Sequence, residues 1–240
     1  MSIIIESLGK DYGAAPVLED ISTTIEDGEF VAVLGASGCG KSTLLNVIAG
    51  LEPPSAGSVT VPEAGAALMF QDAALLPWLT ARANIELALE LRGLGRAERR
   101  ERAEELLRLV HLGDAGGKRP HELSGGMRQR ASLARALGQD RPILLMDEPF
   151  AALDAITREL LHDELERLWE LHRRTVVFVT HNVREAVRLG QRILLLSSRP
   201  GRIAAEWRID PGVRRDPAEA AVLTRTITER LREEIRQHAH

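Results

Sequence analysis

One cysteine, Cys39, stands among 240 residues. A single thiol excludes an internal disulfide and fits a reducing compartment. Aromatic residues are scarce too, 3% of the chain, and Tyr12 is the sole tyrosine. No stretch approaches the roughly 18 uninterrupted apolar residues that a membrane span requires. Neither sign of charge prevails: 31 Lys and Arg against 35 Asp and Glu leave a net charge of -4. A nucleic-acid partner leaves a basic footprint, so no such partner is expected. Lysine is nearly missing from a chain rich in Ala, Arg and Leu, a bias to which no mechanism attaches. There are no internal repeats and no low-complexity segment. Met1-Ser2-Ile3-Ile4-Ile5-Glu6 has no basic segment ahead of its apolar residues. That is unlike a signal peptide, and the segment reads as a first strand.

What the chain has is two glycine-rich segments, far apart. Gly35-Ala36-Ser37-Gly38-Cys39-Gly40-Lys41-Ser42 matches the phosphate-loop pattern G-x-x-x-x-G-K-[ST]. The apolar run Phe30–Leu34 before it is typical of a buried strand. A helix should run from near Lys41 to Ala49, with Gly50 closing it as a C-cap. Glycines let backbone N–H groups converge on phosphates, and the helix adds its positive end. Lys41 would supply a point charge to the β- and γ-phosphates, and Ser42 Oγ is the expected Mg²⁺ ligand. The second segment, Leu123-Ser124-Gly125-Gly126-Met127-Arg128-Gln129, precedes another helix. Ser124 is a natural N-cap, and the segment is either that cap alone or a second anion site. With one phosphate loop per chain, a second site needs a nucleotide from elsewhere, which a head-to-tail dimer supplies.

The remaining elements follow from apolar runs and breakers. Strands are expected at Ile3–Leu8, Ile21–Ile25, Ser58–Val61 and Ala66–Phe70, with turns at residues 13–16 and at Asp27-Gly28. From Arg82 to His111 the chain turns helical, punctuated by Gly93 and Gly95. Glu98–Arg102 and Glu104–Arg108 should pair there at i,i+4 on a solvated face. A Gly-rich connector, Asp114–Pro120, leads to a helix over about Gly125–Leu137. The middle of the chain therefore reads as a helical insertion in an α/β domain. Ile143–Asp147, Val176–Val179 and Ile193–Leu196 are further buried strands, with a helix over about Ile156–His172 between the first two. A turn at Arg199–Arg202 leads to a possible last strand, Ile203–Ile209. Asp216-Pro217 opens a polar terminal helix, proline suiting its first position.

Several strand ends carry candidate chemistry. Asp147 and Glu148 end an apolar strand, where a carboxylate in a parallel sheet lies beside the phosphate loop. Asp147 is suited to hold Mg²⁺ through water, and Glu148 to orient or deprotonate the attacking water. By themselves the two residues would read as a turn or an N-cap. His181 follows another strand, either as a hydrogen-bond donor near the γ-phosphate or as a surface cap. Gln71 could reach Mg²⁺ or the water, or cap a loop. Tyr12 could stack on adenine or simply pack.

The ordered set Gly35–Ser42, Gln71, Leu123–Gly126, Ile143–Glu148, Asp154 and His181 resembles the ATP-binding subunit of an ABC transporter, over about residues 2–209. The resemblance implies a P-loop NTPase α/β core with an N-terminal antiparallel β-subdomain. It also implies a helical subdomain inserted at about 80–140, all within a single domain 1–240 that ends in a helical tail, 210–240. ATP and Mg²⁺ would be bound by Tyr12 on the adenine and by Gly35, Ala36, Ser37, Gly38, Cys39, Gly40, Lys41, Ser42 and Thr43. Ser42, Gln71 and Asp147 would face the metal. Glu148 would be the catalytic carboxylate, His181 the switch and Gln71 the γ-phosphate sensor. Ser124, Gly125 and Gly126 would bind the nucleotide of the opposite subunit, and Asp154 would couple the two sites. The implied partners are a second ATPase subunit, transmembrane permease subunits and, indirectly, a solute-binding protein. The implied location is the cytoplasmic face of the membrane.

Phe70–Trp78 and Leu195–Arg202 further resemble the nitrate/sulfonate/taurine importer subfamily. Sugar-importer relatives carry a long regulatory domain after this point, for which this chain has no room. Met127 replaces the usual Gln after L-S-G-G, and the stretch between Val61 and Ala66 is shorter than the family's hairpin with its charged loop. The alternatives are a non-transport ABC ATPase or a regulatory ATP-binding module, and Glu148 argues against a module with little turnover. A GTPase would need an Asn-Lys-x-Asp base reader, which the sequence does not contain.

Overall fold

The computed structural model describes residues 2–13 and 15–237. Ala14 of the expected turn and the terminal residues 1 and 238–240 lie outside the described residues. Strand β1 (Ile3–Asp11) lies between β2 (Pro16–Ile25) and β4 (Ala56–Thr60) in a three-stranded antiparallel sheet. Ile3 pairs with Ile25, and Ile4 with both Thr24 and Thr60. Ile3, Ile5 and Leu8 of β1 are buried and the residues between them are not, as expected of a sheet covered on one face.

The second sheet has six strands. Its central strand, β3 (Phe30–Leu34), is followed by the phosphate loop and α1 (Lys41–Ile48). Beyond it come β5 (Ala66–Met69), the helices α2 (Ala81–Leu91), α3 (Arg96–Leu109) and α4 (Gly125–Gly138), and then β6 (Ile143–Asp147). Helix α5 (Ala155–His172), β7 (Thr175–Val179), α6 (Val183–Leu189), β8 (Arg192–Leu196) and β9 (Ile203–Arg208) follow, and α7 (Pro211–Arg215) and α8 (Pro217–Gln237) end the chain. The strand order is β5-β6-β7-β3-β8-β9, all pairings parallel except β8 with β9. Strands β3, β6, β7 and β8 are buried at every position, which is why each carries a run of at least four apolar residues.

Alternate side chains of these strands feed two cores. Phe30, Ala32 and Leu34 join a core with α2, α3, α4, α5 and α6. Val31 and Val33 join one with α1 and the antiparallel sheet. Phe30 meets Trp169 and Phe178 edge-on, centroids 5.9 Å and 5.5 Å away, so three of the few aromatics sit together.

Several expectations are corrected. The segment between Val61 and Ala66 is no hairpin: β4 and β5 on either side belong to different sheets. Strands β1 and β2 run further than expected, to Asp11 and from Pro16. In α3 the pairs Glu98–Arg102 and Glu104–Arg108 give way to Arg100–Glu104 and Arg102–Glu105, while Arg82 of α2 also reaches Glu104. Packing of α2 beside α3 redirects the carboxylate. The 114–120 connector is bounded by short 3-10 turns at Gly113–Ala115 and Pro120–Glu122. Helices α6 and α7 were not anticipated. Asn182 and Asp210 cap them, accepting from Arg184 N and Gly212 N, so cap residues were the available signal.

His162 of α5 is buried edge-on to Phe150, centroids 4.4 Å apart, and its Nε2 has no hydrogen-bond partner. Burial, then the charges of Arg188 and Arg158, push its pKa down from 6.5 to about 4. Between those values the unfolded chain binds the proton and the folded one does not. The stability from keeping His162 neutral is therefore complete above pH 6.5 and is lost as pH falls toward 4, by about 3 kcal/mol. Urea unfolding from pH 7 to pH 4 should show a shallower acid decline for His162→Leu than for the wild type. Parallel declines would mean that other groups carry the acid sensitivity.

Candidate active site

The loops after β3, β5, β6 and β7 all leave the carboxyl ends of their strands. That is the edge of an open α/β sheet where ligands bind. Residues of the loops after β3, β5 and β6, with Val17 of β2 and Arg199 from the loop after β8, line an open cleft of about 270 Å³. Its floor is the phosphate loop: Ser37, Gly38, Gly40, Lys41, Ser42 and Thr43. Gly38 and Gly40 have φ of 79° and 103°, values that side chains seldom tolerate. A Cβ on Gly40 would lie 2.6 Å from Leu18 Cδ2. The Lys41 side chain is folded back, its Nζ donating to Gly35 O and Ala36 O at 2.9 Å each. Cys39 is buried under the loop, and burial raises its thiol pKa, so it is a packing residue rather than a thiolate.

Gln71, Asp147 and Glu148 line the opposite wall. Burial is the leading influence on Asp147 and raises its pKa, while a hydrogen bond to Ser42 and the charge of Lys41 oppose that shift. Glu148 has φ of 48°. A non-glycine residue there costs on the order of 1 kcal/mol. The surroundings hold it: Glu148 N donates to Val179 O at 3.0 Å, and Glu148 O accepts from Gln129 Nε2 at 3.2 Å. Its carboxylate points at His181, Oε2 lying 3.1 Å from Nδ1. His181 is exposed and sits outside the cleft, in an adjoining pocket that shares Glu148.

Tyr12 presents a ring that is 59% exposed. Its hydroxyl donates to Glu52, and this bond leads the rise in its pKa; the Thr43 side chain also reaches it. Lys10 Nζ lies 5.0 Å from the ring centroid. The ring thus stands beside α1 with a face free for stacking.

Ser124, Gly125, Gly126 and Asp154 do not line the cleft. They form a separate group. Ser124 caps α4 by accepting from Met127 N at 3.2 Å, and Asp154 caps α5 by accepting from Thr157 N at 2.9 Å. A Cβ on Gly126 would lie 3.0 Å from Ala152 O, so the two turns are in contact. Ser124, Gly125 and Asp154 are exposed.

Two residues of the site escaped the sequence reading. Arg199 lines the cleft and its Nε donates to Gly38 O at 3.0 Å. Its loop is clamped to β2, with Gly201 N donating to Val17 O at 2.8 Å and Glu19 N to Gly201 O at 3.0 Å. Gln129 Nε2 also lies 3.5 Å from Gln71 O, so from α4 it ties the Gln71 and Glu148 loops of one wall together. The segment Leu195–Arg202 had drawn notice only as a resemblance, and Gln129 carried no signal beyond its neighbourhood.

The donor set suits Mg²⁺. The Ser42 hydroxyl and the Asp147 carboxylate are hard oxygen donors in mutual contact. No cluster of three or more His, Cys, Asp or Glu able to hold a metal occurs among the described residues. Mg²⁺ is typically held by one or two protein oxygens, with phosphates and water completing its shell.

Residues 18–151 match the ABC transporter family. The chain is 49% identical to the taurine import ATP-binding protein TauB of Mesorhizobium japonicum over 216 residues, 87% of this chain and 83% of that protein. It is 48% identical to TauB of Burkholderia pseudomallei over 205 residues, 82% of this chain and 79% of that protein. Among solved structures it resembles a dimeric ATP-binding cassette in a post-hydrolysis state bound to ADP and Pi. The TM-score is 0.81 at 34% identity, covering 87% of this chain and 99% of that one.

Proposed function

Because the chain belongs to the ABC transporter family and is an ATPase, we propose that two copies close head-to-tail on ATP and drive a small anion of the taurine or sulfonate type inward through permease subunits. The observation that carries this is the separation of two groups on one chain. Lys41, Ser42, Gln71, Asp147 and Glu148 surround a single cleft, while the exposed Ser124 turn packs on the Ala152 loop outside it. A cleft missing its signature turn and a signature turn missing its nucleotide complete each other in a dimer.

Each residue then has a task. Backbone N–H groups of Gly38–Thr43 and the Lys41 ammonium receive the phosphates. Tyr12 stacks on adenine. Ser42 and Asp147 would hold Mg²⁺, with Gln71 on the same wall of the cleft as Asp147, and the ion would neutralise phosphate charge. Glu148 orients and accepts a proton from the water that attacks the γ-phosphorus as the bond to the β-phosphate oxygen breaks. His181 holds Glu148, and Asp154 couples one site to the other. In this reading α2–α4 form a helical subdomain and residues from 210 onward a tail, on one ATPase domain. No helix among the described residues is long and apolar enough to cross a membrane, so membrane contact on the cytoplasmic face falls to partners.

The loop after Gln71 supplies the docking surface. Asn84 fixes it, accepting from Leu76 N at 2.8 Å, and Arg135 donates to Ala74 O at 2.7 Å. The loop leaves Trp78 66% exposed and Phe70 40% exposed. At that exposure Trp78 is not packed into the core of the helices. Trp78→Ala should leave basal ATPase and folding unchanged but cut recovery of the complex with permease subunits severalfold. In the assembled system with its binding protein, taurine should stimulate ATP hydrolysis. Stimulation by another anion alone would change the solute and keep the import reading. No assembly with any permease would overturn it.

A further inference from the structure

Behind Glu148 lies a second small polar pocket, bounded by His181, Thr180, Arg158 and Glu185. Glu185 of α6 is 6% exposed. Its Oε2 accepts from Thr180 Oγ1 at 2.7 Å and its Oε1 from Asn182 Nδ2 at 3.2 Å. Thr180 Oγ1 in turn accepts from Asn182 N at 3.0 Å. Thr180 and Asn182 flank His181 on either side. Arg158, one turn into α5, donates from Nη2 to Leu153 O at 2.9 Å, just before Asp154. Its Nε lies 3.5 Å from Glu185 Oε1, an ion pair outside hydrogen-bond geometry. One largely buried ion pair thus joins the turn that carries His181 to the loop that carries Asp154.

We propose that Arg158 and Glu185 are positioning residues: they aim His181 at Glu148 and tie that aim to the Ala151–Asp154 loop. The proposal rests on the catalytic reading of Glu148 and His181 given above. His181 needs outside support. Its ring is mostly exposed and makes one side-chain hydrogen bond, to Glu148, so its direction is set by the backbone on either side. A buried carboxylate with several partners makes that backbone stiff. Leu153 O, gripped by the same arginine, passes any shift of the Asp154 loop to the same carboxylate. A change at a subunit interface would then reach the His181–Glu148 pair through a single side-chain contact.

The test is steady-state ATP hydrolysis by Glu185→Gln, Arg158→Leu, Arg158→Lys and His181→Ala, singly and with Glu185→Gln combined with His181→Ala. Glu185→Gln keeps the shape and the Thr180 acceptor but removes the charge facing Arg158. Its kcat should fall roughly tenfold to a hundredfold, as misplacement of a reacting group does. KM for MgATP should move by less than about twofold, because the nucleotide contacts are untouched. Arg158→Lys, which keeps the charge, should retain more kcat than Arg158→Leu. On a His181→Ala background Glu185→Gln should cost little further, since both changes act on one group. Additive losses, or losses expressed through KM, would make the pair a helix brace and overturn the proposal. If Glu185→Gln fails to fold, the Arg158→Lys and Arg158→Leu comparison with KM and kcat separated decides in its place. Wild-type turnover by His181→Ala would sink the catalytic reading itself. Impaired His181→Ala beside fully active Glu185→Gln would sink this proposal alone.

Discussion

Glu148→Gln is expected to lower ATP hydrolysis by on the order of a hundredfold or more, the worth of a positioned base, while ATP still binds. The amide matches the carboxylate in size and can still meet His181 Nδ1, which lies 3.1 Å from Oε2 in the wild type. It cannot take a proton from water. The backbone at Glu148, with φ of 48°, is held by Val179 O and Gln129 Nε2, and neither contact involves the carboxylate. The substitution therefore removes chemistry without moving the cleft. In the proposed cycle hydrolysis releases the closed dimer, so the variant should elute as a dimer with ATP where the wild type does not. Near wild-type turnover would end the assignment of Glu148, and a loss of ATP binding would show that the side chain serves the cleft instead.

The second large effect concerns which chain completes which site. Lys41→Ala removes a buried cation that now bonds Gly35 O and Ala36 O and that in the proposed complex faces the phosphates of ATP. Ser124→Arg fills the exposed turn that packs on Ala152. Consider mixed dimers with one substitution in each subunit. The subunit carrying Ser124→Arg keeps its phosphate loop and meets an intact Ser124 turn across the interface, so one site is whole and the other carries both lesions. With both substitutions in one subunit and a wild-type partner, each site carries one lesion. The two mixtures hold the same residues, so only geometry across the interface can separate them. ATP-driven dimerisation, followed by sedimentation, should persist in the split mixture and be at least about tenfold weaker in the combined one, a loss matching one charge-assisted phosphate contact. Equal behaviour would reduce Ser124 to the helix cap it also is, and the shared site would have to be abandoned.

The site was legible wherever chemistry coincided with the end of an apolar run. Phe30–Leu34 and Ile143–Asp147 are buried at every position, so their last residues were bound to emerge at one edge, and Gly35–Thr43 and Asp147-Glu148 do. The parts that could not be read depend on contacts between distant segments. Arg199 is an arginine in a turn, and only folding brings its Nε to Gly38 O. Gln129 and Glu185 are ordinary helical polar residues until α4 and α6 dock. The two short strands expected at Ser58–Val61 and Ala66–Phe70 fall in different sheets, which strand alternation alone does not reveal. Helix α6, at seven residues, is too short to show a helical period. Apart from the short α6, those misses share one cause, that contacts between distant segments are not written in local pattern.

The strand that holds the phosphate loop has both its neighbours supplied late. β3 pairs with β7 through Phe30–Val176 and with β8 through Val31–Arg192, while β1, β2 and β4 of the other sheet are complete by Thr60. During synthesis the antiparallel sheet can therefore assemble first, whereas Phe30–Leu34 waits for most of the chain to emerge. A nascent chain ending before Arg192 contains every residue of the phosphate loop and β7, but lacks β8 on the other side of β3. The phosphate loop thus comes by its complete frame late in the life of the polypeptide, when sequence-distant strands close the sheet on both sides of β3.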